Sequence, residues 1–203
     1  RTKKIDKDFY AAPVKRSSIT AGYLMSVFLI GVIMSLVTLV LTEVYYLMNG
    51  GQLLGIADAA KVLGLILLCC LSNTALMCFI VSFFKSQNAY ATASTIIGTL
   101  IGFLAGIYLP IGQLPSAVQT VVKLFPPSHA AALFRQVIMA QPAAASFADI
   151  PAQYLDEFNT AMGVTFHFGD FAVTPWMSIA FLAAVAVVFY GLSLMNMSRR
   201  SRV

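Results

Sequence analysis

The chain has 203 residues, 59% of them hydrophobic and only 10% charged, with a mean hydropathy of +0.83. Soluble domains carry about 25% charged residues, so an ordinary soluble enzyme is excluded. So is a disordered chain, whose marks are low hydrophobicity and high charge. The net charge of +5 suits the cytoplasmic flanks of membrane spans, and no nucleic-acid partner is expected.

Residues 1–18 form a basic lead-in to the membrane. Ile5 and Phe9 are four apart and share one face of a helix, among Asp6, Lys7 and Asp8. Pro13 interrupts that helix, and Lys15 and Arg16 follow. Two readings stand: a basic anchor on anionic lipid, or a short amphipathic helix docking on a cytoplasmic partner. The acidic residues and the lack of a short apolar core rule out a signal peptide.

Four spanning helices are predicted, three of them within residues 19–109. A bilayer core of roughly 30 Å needs about 20 apolar residues. Tyr23 to Thr42, Val62 to Phe84, and Ala89 to Leu109 supply them, the last limited by Pro110 and Pro115. The fourth runs from Thr174 to Met197 within the closing segment 174–203, entered through Pro175 and Trp176. Ten of the thirteen basic residues fall on one side: Arg1, Lys3, Lys4, Lys7, Lys15, Arg16, Lys85, Arg199, Arg200 and Arg202. The positive-inside rule then predicts that both termini are cytoplasmic.

Residues 110–173 are too long for a turn. Pro110 to Pro115 cannot continue a helix. Ser116 to Phe125 forms a short helix stopped by Pro126 and Pro127, and Ser128 caps a second one reaching about Ala140. The fold expected is all-α and polytopic, a single domain with an outer re-entrant or interfacial helix pair. Ala152 to Met162 is read as a surface helix.

The chemistry-bearing residues are sparse. No glycine loop ends in Gly-Lys-Ser/Thr, so this chain does not hydrolyse ATP by that route. His129 and His167 lack metal-ligand spacing and read as packing or surface histidines. Cys69, Cys70 and Cys78 lie in one apolar run and imply no disulfide framework. No catalytic residue and no metal site is assigned. Ser94, Gly98, Gly102 and Gly106 place a small residue at every fourth position, a strip expected to pack on another helix. Asn73, amid the second span, is expected to face protein or a cavity, as an interhelical partner or a pathway residue. Glu43, at the outer end of the first span, can reach water.

Two segments carry a family resemblance. Asp8-Phe9-Tyr10-Ala11-Ala12-Pro13-Val14-Lys15-Arg16, then Gly22-Tyr23, resembles the cytoplasmic coupling segment of bacterial type 2 ABC exporter permeases, the daunorubicin/multidrug exporter-like group. Gly106-Ile107-Tyr108-Leu109-Pro110-Ile111-Gly112-Gln113-Leu114-Pro115, then Phe125-Pro126-Pro127-Ser128 and Arg135, resembles that family's signature near the outer end of its fifth span. The resemblance implies a six-span permease in a bacterial cell membrane, of which the third to sixth spans are here and the first two are expected to be missing. It implies a second permease half, as a homodimer or heterodimer, and an ABC ATPase subunit that holds ATP and magnesium. This chain itself needs no cofactor. Asp8, Phe9, Tyr10, Pro13, Lys15 and Arg16 would couple to the ATPase. Gly106, Tyr108, Pro110, Leu114, Pro115, Pro126, Pro127 and Arg135 would form an outer gate. The expected function is outward movement of an amphipathic or lipophilic drug, peptide or lipid. A membrane scaffold without a transport cycle is the alternative.

Overall fold

The computed structural model describes residues 16–84, 86–169 and 171–199. Eight helices account for most of it: α1 (Arg16–Met48), α2 (Ile56–Val81), α3 (Gln87–Leu104), α4 (Ser116–Leu124), α5 (Pro126–Ile138), α6 (Ala140–Ser146), α7 (Ala152–Met162) and α8 (Pro175–Arg199). A 3-10 turn, Ile111–Gln113, precedes α4. The one departure from all-α among the described residues is a hairpin pairing Phe168 with Phe171 and His167 with Ala172.

Three helical stretches are long and apolar enough to cross a membrane: Ala21–Met48, Ile56–Val81 and Pro175–Ser193. They match the expected first, second and last spans, with ends that differ by several residues. The third differs more. Its helix stops at Leu104, not Leu109, and its apolar part is Asn88–Leu104. The reason is local. Gly106 adopts φ +66°, a left-handed turn. Gly106 N–H donates to the Phe103 carbonyl and Ile107 N–H to the Gly102 carbonyl, closing the helix in a Schellman motif. The 18 residues of α3 span about 27 Å, slightly less than the hydrocarbon core.

What receives the short end of α3 is α5. Leu65 and Cys69 of α2, Ala130 and Leu133 of α5 and Leu182 of α8 share one buried cluster. Cys69 lies about 20 Å along α2 from its start at Ile56, so α5 sits against the middle of α2, not over its end. α5 therefore packs alongside the two candidate spans α2 and α8. The α4–α5 joint has its own cluster of Ile111, Val122, Ala132 and Phe166. By contrast α1 packs mainly along α2, and the most hydrophobic stretch of its span has no buried residue. In lipid that exposure carries no penalty.

Candidate functional site

The α4–α5 helix pair is built around the C-terminus of α3. A helix end leaves carbonyls without partners, and in hydrocarbon no water supplies them. Three of these are met by one face of α5. Ser128 Oγ donates to the Leu104 carbonyl at 2.8 Å. Arg135 Nη2 donates to the carbonyls of Ala105 at 3.0 Å and Gly106 at 2.7 Å. Ser128 and Arg135 are seven apart, two helical turns, and so share a face. The guanidinium also opposes the negative end of the helix dipole. Burial lowers the pKa of Arg135 from its ordinary value, yet an arginine stays charged in proteins.

A second helix end converges on the same guanidinium. Helix α7 also closes through a left-handed glycine, Gly163 at φ +69°, with Val164 N–H donating to the Asn159 carbonyl. A Cβ on Gly106 would meet Ile111 at 2.8 Å and Arg135 Nη2 at 3.5 Å, and a Cβ on Gly163 would meet Ile111 and lie 3.6 Å from Nη1. Both glycines are therefore needed for their turn and for their closeness to Ile111 and Arg135. Gln136 Nε2 donates to the Val164 carbonyl at 2.7 Å, a polar tie from α5 to the α7 end.

The start of α5 corrects one expectation. Ser128 does not cap the helix. Phe125 is the N-cap residue, and Pro126 and Pro127 occupy the first two helical positions. Proline suits those positions because its fixed φ is helical and its missing N–H has no partner there. Ser128 is thereby freed to bond across to α3.

His129 is buried at 6% exposure and joins three elements. Its Nδ1 is 2.9 Å from Ser178 Oγ on α8, and its Nε2 is 2.9 Å from the Lys123 carbonyl at the end of α4. The carbonyl can only accept, so Nε2 carries the proton and Ser178 donates to Nδ1. Phe166 and Phe181 contact the ring. Both side chains of this serine–histidine pair are buried, and the pair ties α5 to α8 and to the end of α4. Lys123 Nζ in turn donates to the His167 carbonyl at 2.7 Å and lies 5.8 Å from the Phe168 ring centroid. No group of three or more histidine, cysteine or carboxylate side chains suited to a metal occurs among the described residues.

The remaining sequence candidates separate. Pro110 precedes the 3-10 turn, Pro115 precedes α4, and Leu114 packs on the joint cluster. Tyr108 folds back so that its ring covers Gly102 and meets Phe103 edge-on at 5.0 Å. The small-residue strip does not lie against another helix among the described residues: Ser94 and Gly98 are exposed, and only Gly102 and Gly106 are covered, by the chain's own following loop and Arg135. Asn73 is half-buried and makes no side-chain hydrogen bond among the described residues. Glu43 is half-buried, and its Oε2 accepts from Leu54 N–H in the following loop at 3.1 Å. Asp8, Phe9, Tyr10, Pro13 and Lys15 lie outside the described residues, as does the side chain of Arg16.

Composition and spacing gave no sign of His129, Ser178 or Gly163 as working residues, and Ser128 was expected only as a helix cap and as part of the Phe125-Pro126-Pro127-Ser128 motif. The seven-residue spacing of Ser128 and Arg135 is the signal that was present. No curated protein and no solved structure matches the chain. The family profile described as ABC-2 family transporter protein matches residues 1–195, nearly the whole sequence. A multi-pass helical chain matched over nearly its whole length thus belongs to the ABC-2 transporter family, as the membrane component of an ABC transporter.

Proposed function

We propose that this chain is half of the permease of an ATP-driven exporter, moving an amphipathic or lipophilic molecule outward across a bacterial cell membrane. Both termini face the cytoplasm in this reading, where Asp8 to Arg16 dock on a separate ATPase subunit that holds ATP and magnesium. A second permease half completes the pathway. Nucleotide binding shifts the population between inward-open and outward-open arrangements.

The observation that supports this most is the grip of α5 on α3. It is polar, made by Ser128 and Arg135 on three carbonyls, and it joins the apolar helix α3 to α5. These bonds tie the end of α3 to α5, so the two would move together. The α4–α5 pair is thereby suited to an outer gate that moves with α3. The test is an ATPase assay on the purified complex with candidate lipophilic cargoes. Stimulation by cargo in the wild type, with hydrolysis retained but stimulation lost in Arg135→Ala, fits the reading. Cargo-insensitive hydrolysis in both would favour a scaffold without a transport cycle.

A further inference from the structure

The hairpin of residues 167–172 is held at a fixed level against α8. Only Val173 and Thr174 separate Ala172 from Pro175, where α8 begins. Val173 N–H donates to the Phe166 carbonyl at 2.8 Å, and both side chains belong to the α4–α5 joint cluster. A chain of polar contacts sets the height. The His167 carbonyl accepts from Lys123 Nζ, the Lys123 carbonyl accepts from His129 Nε2, and His129 Nδ1 accepts from Ser178 Oγ. Ser178 lies in the first turn of α8, about 4.5 Å along it. The base of the hairpin is thereby tied to the first turn of a helix long and apolar enough to cross a membrane. That turn is where hydrocarbon gives way to headgroups.

The side chains at this level are aromatic and uncovered. Phe168 and Phe171 are directly opposed across the hairpin, so their rings share one face. Gly169, at φ +61°, supplies the left-handed residue that a two-residue hairpin turn favours. Phe166, two residues before Phe168, is buried in the joint cluster, whereas Phe168 is 42% and Phe171 55% exposed. Trp176, in the first turn of α8, is 77% exposed. Lys123 Nζ stands 5.8 Å from the Phe168 ring centroid. Exposed aromatic rings beside a lysine, at the end of a span, have the composition of a membrane–water boundary. Asp170, next to Phe171 in the sequence, lies outside the described residues. Its carboxylate makes entry into hydrocarbon tip-first unfavourable, so a shallow seat is the one the sequence permits.

We propose that the hairpin is an interfacial anchor, with its Phe168–Phe171 face seated among the headgroups and upper acyl chains of the leaflet at which α8 begins. Lipid is the occupant because the face is continuous with the start of a span. The two-residue link to Pro175 and the ties through Lys123 and His129 to Ser178 keep the rings at the level where Trp176 meets the boundary. The same ties join the hairpin to the end of α4 and to α5. The anchor therefore holds the α4–α5 joint to the bilayer surface.

The experiment uses tryptophan fluorescence of the complete protein in phosphatidylcholine vesicles. Trp176, the one tryptophan of the sequence, is replaced by Phe, and Phe171→Trp is introduced in a background without other tryptophans. The vesicles contain phosphatidylcholine brominated either near the headgroup end of the acyl chain or near its tail. The reporter is expected to emit to the blue of a water-exposed indole. The shallow bromines should remove about half of its emission and the deep ones clearly less, as for a ring at the boundary. Aqueous acrylamide should quench it weakly. Phe168→Trp carries the same expectation and serves if Phe171→Trp does not fold. Water-like emission that acrylamide quenches and bromolipid does not would overturn the proposal, because the face would then meet water. Blue emission that neither quencher reaches would assign the face to a second copy or another protein and overturn it equally. Stronger quenching by the deep bromines would place the rings inside the hydrocarbon and contradict a boundary anchor.

Discussion

Arg135 and Gly106 are fitted to each other. The left-handed turn of Gly106 presents its carbonyl 2.7 Å from Arg135 Nη2, and the missing Cβ leaves the space the guanidinium and Ile111 use. Arg135→Ala strands two carbonyls at the end of α3. Hydrogen bonds to a charged group contribute about 1.5–3 kcal/mol each, so the variant should lose stability on that scale. Arg135→Lys keeps the charge but not the planar fork, and should recover only part of it. Thermal unfolding in detergent, with protease sensitivity of residues 105–115 as a local readout, checks both.

The glycines of α3 are predicted to differ. Gly106→Ala places a side chain at positive φ, which costs roughly 1–2 kcal/mol, and adds the contact with Ile111. Gly98 faces open space, so Gly98→Ala should be neutral or stabilising by up to about 1 kcal/mol from helix propensity. Gly102→Leu should displace the Tyr108 ring and loosen the 105–110 loop. Unfolding midpoints of the three variants, measured side by side, decide the order.

His129 makes stability depend on pH. Burial lowers its pKa from the ordinary value, and the smaller effect of its bond to the Lys123 carbonyl opposes this. The unfolded chain therefore binds the proton first. The neutral strut is fully effective above the free imidazole pKa of about 6.5, and stability falls as pH drops below it towards the folded value. His129→Gln should flatten the fall in unfolding midpoint between about pH 7.5 and 5.5.

Much of the fold was legible because hydrocarbon length and proline positions are one-dimensional signals. Val62 to Phe84 and Thr174 to Met197 overlap α2 and α8, and Ala152 to Met162 coincides with α7. The third span was overextended because apolar residues continue past Leu104, while the stop is a conformational property of Gly106. The site was legible only as a stretch. Pro110, Pro115, Pro126, Pro127 and Arg135 mark it, but Arg135's partners are backbone carbonyls about thirty positions away, and a carbonyl has no letter in a sequence. Gly163 and Ser178 enter through tertiary contacts that spacing does not encode. The strip from Ser94 to Gly106 satisfied the small-residue pattern, yet it is mostly covered by Tyr108 or by nothing.

Sidedness follows from the split of basic residues. In a background without the three native cysteines, Asn88→Cys should react with a membrane-impermeant maleimide only after the cells are opened, and Asp156→Cys in intact cells. Both residues are exposed. Equal labelling of the two in intact cells would contradict the orientation.

Coupling to an ATPase is the centre of the functional account. Phe9 is a large apolar side chain among charges, placed outside the bilayer by the proposed topology. Truncating an aromatic anchor buried in a partner costs about 2–4 kcal/mol of binding, whereas losing a lipid contact leaves partner binding intact. The direct measurement is the amount of ATPase subunit that co-purifies with the complete permease, wild type against Phe9→Ala, at matched expression. The account predicts a near-stoichiometric ATPase with the wild type and a large loss with Phe9→Ala. Equal recovery with both proteins would contradict the docking role and favour a basic lipid anchor.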